Sequence, residues 1–105
     1  MNLIRFNEIV ADQMEHCVVV LKEKGAEYVF SEDRLDHFKT SAAEQGISTK
    51  QALWGMAAKH FTSLAGMCKS NEAGYPEEVW REKITDAMNY MLLLWAIVRE
   101  EAGHD

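Results

Sequence analysis

The chain has 105 residues, 48% of them hydrophobic and 27% charged, with only six Gly, one Pro and a formal net charge of −6. That composition excludes a disordered chain, and the length fits a single domain. The acidic balance excludes a protein drawn as a whole to phosphate backbones, and the scattered basic residues form no nucleic-acid stripe.

So few helix breakers predict an all-α fold. The opening segment MNLIRFNEIV lacks a signal-peptide core. The longest apolar run, residues 91–98, is too short to span a bilayer. The expectation is a cytoplasmic protein, not bound to membranes, with Cys17 and Cys68 as reduced core thiols.

The first helix starts at a cap, Asn2 or Asn7. Ile9, Val10, Met14, Cys17, Val18 and Leu21 keep helical spacing, which overrides the local strand preference of Val18, Val19 and Val20. Gly25 ends or weakens this helix. Ser31 caps a short second helix, with Glu32 and Asp33 near its positive end and Leu35, Phe38 and Ala42 as its buried stripe. Gly46 stops it.

Ser48 and Gln51 form an S-x-x-Q capping box at the start of a third helix. Leu53, Met56, Ala57, His60, Leu64, Met67 and Cys68 follow on one face. A polar loop then leads to Pro76, in the first turn of a fourth helix reaching about Glu101, with Glu77 and Glu78 at its positive end. The four helices predict a compact arrangement of long first, third and fourth helices with a short second one.

The fourth helix is apolar on more than one side. Trp80, Ile84, Ala87, Met91, Leu94, Trp95 and Val98 form a first stripe, expected to meet the core. Glu82, Asp86 and Asn89 lie opposite, within an arc of about 60°. That second side continues as Leu93 and Ala96, flanked by Leu92 and Ile97. It needs a covering from another helix or another subunit, so a homodimer or larger assembly is expected.

Glu82 and Asp86 stand one helical turn apart, where like charges repel by roughly 0.2–0.5 kcal/mol. Either Arg81, Lys83 or another basic residue neutralises them, or they hold a divalent cation such as magnesium. Asn89 can read a base edge or orient a carboxylate, and Tyr90 stacks on a base or lines the core. Arg34, Asp36 and Lys39 form either a solvated face or a set of phosphate, metal and ribose contacts. His60 is a core histidine or a substrate contact, and Lys59 beside it is a candidate phosphate ligand. No nucleophile motif, Gly-rich phosphate loop or HExxH is present.

Three stretches together resemble a family of small phage and prophage proteins, the nucleotide-modification-associated domain family. They are KGAEY (24–28) with RLDHFK (34–39), GMAAKH (55–60), and EKITDAMNY (82–90) followed by Leu92, Leu93 and Leu94. The resemblance implies an all-α domain linked to nucleotide metabolism. More distantly, the arrangement is similar to the all-α nucleoside triphosphate pyrophosphohydrolases of the MazG type. Those use E-x-x-E and E-x-x-D helix motifs to hold magnesium against substrate phosphates.

Here Glu82 and Asp86 carry the later motif in altered spacing. No E-x-x-E occurs in the first three helices, where Glu8, Asp12 and Glu15 are the available acids. Two expectations follow. One is a magnesium-dependent nucleotide pyrophosphohydrolase-like protein, with Glu82, Asp86 and Asp36 at the metal, Arg34, Lys39, Lys59 and His60 on the substrate, and Asn89 and Tyr90 near base or sugar. The other is a non-catalytic, oligomeric accessory protein that binds a nucleotide or a host defence protein.

Overall fold

The computed structural model describes residues 1–27, 32–70 and 74–104. Four helices follow one another: α1 (Leu3–Glu27), α2 (Asp36–Gln45), α3 (Thr49–Lys69) and α4 (Glu77–Glu101). The all-α, four-helix expectation holds, with α2 the short member. None of the described helices is long and apolar enough to cross a membrane.

The helix ends follow from local chemistry. The Arg5 backbone N–H donates to Asn2 Oδ1 at 2.8 Å, so Asn2 rather than Asn7 caps α1. At α3 both bonds of the capping box are present: the Gln51 N–H donates to Ser48 Oγ at 3.1 Å, and the Ser48 N–H donates to Gln51 Oε1 at 3.0 Å. Gly46 ends α2 in the left-handed region, at φ 67°. Pro76 sits at the N-cap of α4, with Glu77 and Glu78 in the first turn. Ser31 lies outside the described residues, and α2 starts later than a cap there would place it, at Asp36 with Leu35 at the N-cap and no side-chain cap bond. Gly25 does not end α1, which runs on to Glu27.

The core gathers where α2, α3 and the second half of α4 meet. Leu35, Phe38, Leu53, Ala57 and Ile97 form its buried cluster, with Tyr90, Leu93 and Leu94 packed against it. The expected stripe of Leu35, Phe38 and Ala42 is buried. Among the described residues, α1 packs against α4 alone, whereas α3 packs against both α2 and α4. Helix α4 is therefore covered from two sides. Ala87 and Ile97 are buried with the core, while Thr85 meets α1. Thr85 and Ala87 lie roughly 160° apart around the helix.

The α1–α4 contact is polar at its centre. Gln13 Nε2 donates to Thr85 Oγ1 at 2.8 Å. Arg81 Nε donates to Gln13 Oε1 at 3.1 Å, and Arg81 Nη2 bridges to Asp12 at 2.9 Å. Thr85 is 2% exposed, so the Gln13 amide supplies the partner its hydroxyl needs there. Cys17 is fully buried beside the Met88 sulfur. Cys68, expected in the core, is exposed instead. On α4, Ile84, Trp95 and Val98 of the first apolar stripe are also exposed. The stripe is split: Ala87 is buried and Met91 and Leu94 pack on the core, whereas Ile84, Trp95 and Val98 face outward.

The capping box gives a local test. Ser48→Ala removes one acceptor at the head of α3 and should lower unfolding free energy by roughly 0.5–2 kcal/mol. Chemical denaturation followed by circular dichroism measures it, and an unmoved midpoint would show that the box contributes nothing.

Candidate functional site

Asn89 is placed by α4 on the side between the core and α1. It is 5% exposed, and both its amide atoms, Oδ1 and Nδ2, are buried without a hydrogen-bond partner. A buried amide left unbonded costs on the order of 1–3 kcal/mol, so such groups are rare in folded proteins. Asn89 lines a cavity of about 100 Å³ between α4, the last turns of α1 and the start of α2. Leu21, Phe38 and Leu93 form apolar walls, and Tyr90 lies beside Asn89. Lys24, Arg34, His37 and Asp86 supply the charged and polar lining.

The Arg34 side chain lies close against α1 at Gly25. A Cβ at position 25 would stand 2.9 Å from Arg34 Nε and 3.3 Å from Arg34 Cδ. The glycine inside α1 therefore leaves room for the guanidinium stem, a role that a helix-ending signal did not suggest. Arg34 enters no ion pair with the described residues.

Asp86 is spoken for from two directions. Lys24 Nζ donates to its Oδ1 at 2.9 Å, and His60 Nδ1 lies 3.9 Å from its Oδ2. The neutralising base is thus Lys24 rather than Arg81, which pairs with Asp12, and Asp36 does not join Asp86 in the cavity lining. The side chains of Asp86 and His60 are 14% and 17% exposed, so this contact is shielded from water and salt. The His60 ring sits 5.0 Å from the Tyr90 ring, tilted by 37°. Burial pushes the His60 imidazole below its ordinary value of 6.5, while the Asp86 charge pulls it back up.

Of the residues expected from sequence, the cavity gathers Arg34, Asp86, Asn89 and Tyr90. His60 stands behind Asp86 and Tyr90. Lys39 is turned elsewhere: it pairs with Asp33 and with Glu100, and its ammonium is held strongly protonated, first by the Asp33 hydrogen bond. The same ammonium keeps the Asp33 carboxyl below its ordinary value. Lys59 is exposed on α3, and Asp36 is half-buried in the first turn of α2. Two lining residues, Lys24 and His37, were not anticipated. Lys24 shares one helical line with Gln13 and Cys17, at i+11 and i+7 from them, and that register was the available signal.

Glu82 is exposed and shares a shallower groove with Asp86, lined on the α1 side by His16, Val20 and Lys24. Among the described residues, no three His, Cys, Asp or Glu side chains come together as a metal cradle. The pair offers one exposed carboxylate and one already bonded to an ammonium, a poor fit to a hard divalent cation that takes several oxygen ligands. Compared with family models, curated proteins and solved structures, the chain matches none.

The His60 environment has a pH signature. Its proton affinity is depressed on folding, so the unfolded chain binds the proton more readily. This contribution is fully present above pH 6.5 and is lost as pH falls through the depressed folded value. Stability should therefore decline on acidification below about pH 6.5, and His60→Gln should flatten that limb. Denaturant midpoints across the neutral-to-acid range check this. An identical slope in the variant would mean that His60 is not the group responsible.

Proposed function

We propose that this chain is a nucleotide-binding protein linked to nucleotide metabolism of the phage and prophage kind, acting by capture rather than catalysis and working as a self-associated oligomer. The observation that carries the binding reading is the unbonded Asn89 amide in a cavity rimmed by Lys24, Arg34 and His37. An amide offers a donor and an acceptor side by side, the pattern that matches a base edge. The apolar walls suit a flat ring, and the volume admits one ring or one phosphate group with the remainder of the ligand at the mouth. Arg34 and Lys24 suit phosphate oxygens, Arg34 as a fork and Lys24 as a point charge. The family resemblance of the 82–90 segment, which supplies Asp86, Asn89 and Tyr90, supports the nucleotide assignment.

A second reading is kept by one observation: Glu82 and Asp86 line the same groove one turn apart. In that reading magnesium would bridge the pair to substrate phosphates, and the protein would be a pyrophosphohydrolase. It requires Asp86 to exchange Lys24 for the metal.

Thermal unfolding with a panel of nucleotides, each with and without magnesium, separates the two, because a ligand that binds only the folded state raises the midpoint. Capture predicts stabilisation by a nucleotide without magnesium and no release of phosphate or pyrophosphate. Magnesium-dependent turnover would replace it with the enzyme reading. Asn89→Leu gives the sharper sign. It removes an unsatisfied amide at similar volume, so the ligand-free variant should be more stable by about 1–3 kcal/mol and should lose the nucleotide-induced rise. A variant that is less stable yet still responds to nucleotides would remove Asn89 from the site.

A further inference from the structure

Helix α1 carries more apolar surface than α4 covers. At 100° per residue, an arc of roughly 160° holds no charged side chain between Leu3 and Leu21. Cys17 and Leu21, within this arc in the second half of α1, face α4 and the cavity. The line Leu3, Val10, Met14 and Val18 is exposed along the rest of it, at 71%, 43%, 42% and 43%. Phe6, also within the arc, is exposed as well. An uncovered patch of this length on a helix marks a contact surface.

The whole molecule shows the same deficit. Its accessible surface is 7628 Å² at a mass of 12.0 kDa, where a compact monomer exposes about 6,000 Å². The radius of gyration is 16.0 Å, against about 13 Å for a compact chain of this length. The excess of about 1,600 Å² lies within the 1,000–2,500 Å² or so that one subunit buries in an obligate homodimer.

We propose that the Leu3–Val10–Met14–Val18 face of α1 is the docking surface for a second copy of this chain, α1 against α1 about a two-fold axis. This rests on the self-association part of the proposed function and not on the ligand. A straight helical stripe is self-complementary when two copies run antiparallel, because residue i then meets j while j meets i. The charges of α1 argue against a lipid surface as the occupant. Helix α1 carries Glu8, Asp12, Glu15 and Glu23 against Arg5, Lys22 and Lys24, whereas helices lying on membranes present Lys- and Arg-rich polar faces. The location also differs from the one expected on α4. There Leu93 already packs on the core and Leu92 is half-buried, leaving Ala96 as the exposed member of that group.

Sedimentation of the wild-type chain and of Val10→Glu and Ala96→Glu, from low to high micromolar concentration, tests the proposal. The expected result is a wild-type dimer, an Ala96→Glu dimer and a dissociated Val10→Glu. A wild-type monomer throughout overturns both the face and the self-association. A Val10→Glu dimer, or dissociation by Ala96→Glu alone, keeps the oligomer and overturns the α1 face. Where Val10→Glu does not fold, Val10→Cys in a Cys68→Ser background decides, because residue 10 stands at the middle of the Leu3–Val18 stripe, where an antiparallel pair brings the two copies of one position together. Mild oxidation then gives a covalent dimer if the two α1 helices meet at mid-stripe, and its absence overturns the proposal. The wild-type melting midpoint should also rise with protein concentration, and an invariant midpoint contradicts an obligate dimer.

Discussion

Everything in this fold turns on the need to cover α4 from two opposite sides. One side is closed by α3, with α2 packed on α3, through the cluster of Leu35, Phe38, Leu53, Ala57 and Ile97. The other side is closed by α1, which touches no other helix among the described residues. This second contact is held by the Gln13–Thr85 bond and by Arg81 reaching Gln13 and Asp12, with Cys17 packed beside Met88. A helix attached along one line, through polar groups, leaves much of its own apolar arc uncovered. The same attachment shapes the cavity, since Leu21 and Lys24 reach it only because α1 lies against that side of α4.

The cavity draws on both coverings at once. Helix α1 supplies Lys24, the segment leading into α2 and its first turns supply Arg34, His37 and Phe38, and α4 supplies Asp86, Asn89, Tyr90 and Leu93. The repulsion expected between Glu82 and Asp86 is relieved on the Asp86 side by the Lys24 ammonium, with Glu82 left in solvent. Asp86 thereby acts as a hinge of charge, joining α1 through Lys24 and α3 through its approach to His60. Asn89, one turn further along, has no such partner. Among the described residues, a fold that satisfies Thr85 at 2% exposure and leaves Asn89 unbonded at 5% exposure places its unmet buried side-chain polar group at the cavity.

The parts legible in the sequence are those fixed by chemistry within a few residues. The Ser48–Gln51 box, the left-handed Gly46, the acidic start of α4 and the i, i+3, i+7 burial of Leu35, Phe38 and Ala42 all belong to this class. The facing of α4 was harder, because residues 91–98 are apolar at every position and periodicity cannot select a side there. Of the expected core line, Ala87, Met91 and Leu94 do meet the core, but Ile84, Trp95 and Val98 do not, and burial extends instead to Thr85, Asn89 and Ile97. Of the residues that line the cavity, Asp86 and Asn89 stood out in the sequence as polar groups at the border of an apolar surface, and Arg34 and Tyr90 as candidate contacts, each with a bland alternative. Lys24 and His37 did not: register puts Lys24 on one helical line with Gln13 and Cys17, but which line meets α4 depends on how the helices approach one another. The closeness of Gly25 to Arg34, nine positions away, was hidden for the same reason.

The central claim is that Asn89 and Arg34 receive a ligand that the folded chain alone leaves wanting. Heteronuclear NMR of the folded protein tests it at the atoms concerned, by following the Asn89 side-chain NH₂ and the Arg34 Nε–H through a titration with nucleotides and, separately, with inorganic phosphate. The account predicts that a nucleotide shifts both signals together with saturation, and that phosphate alone shifts Arg34 more than Asn89. Signals that stay fixed at both positions across the nucleotide panel, or shifts confined to the exposed Lys59 region of α3, would contradict it.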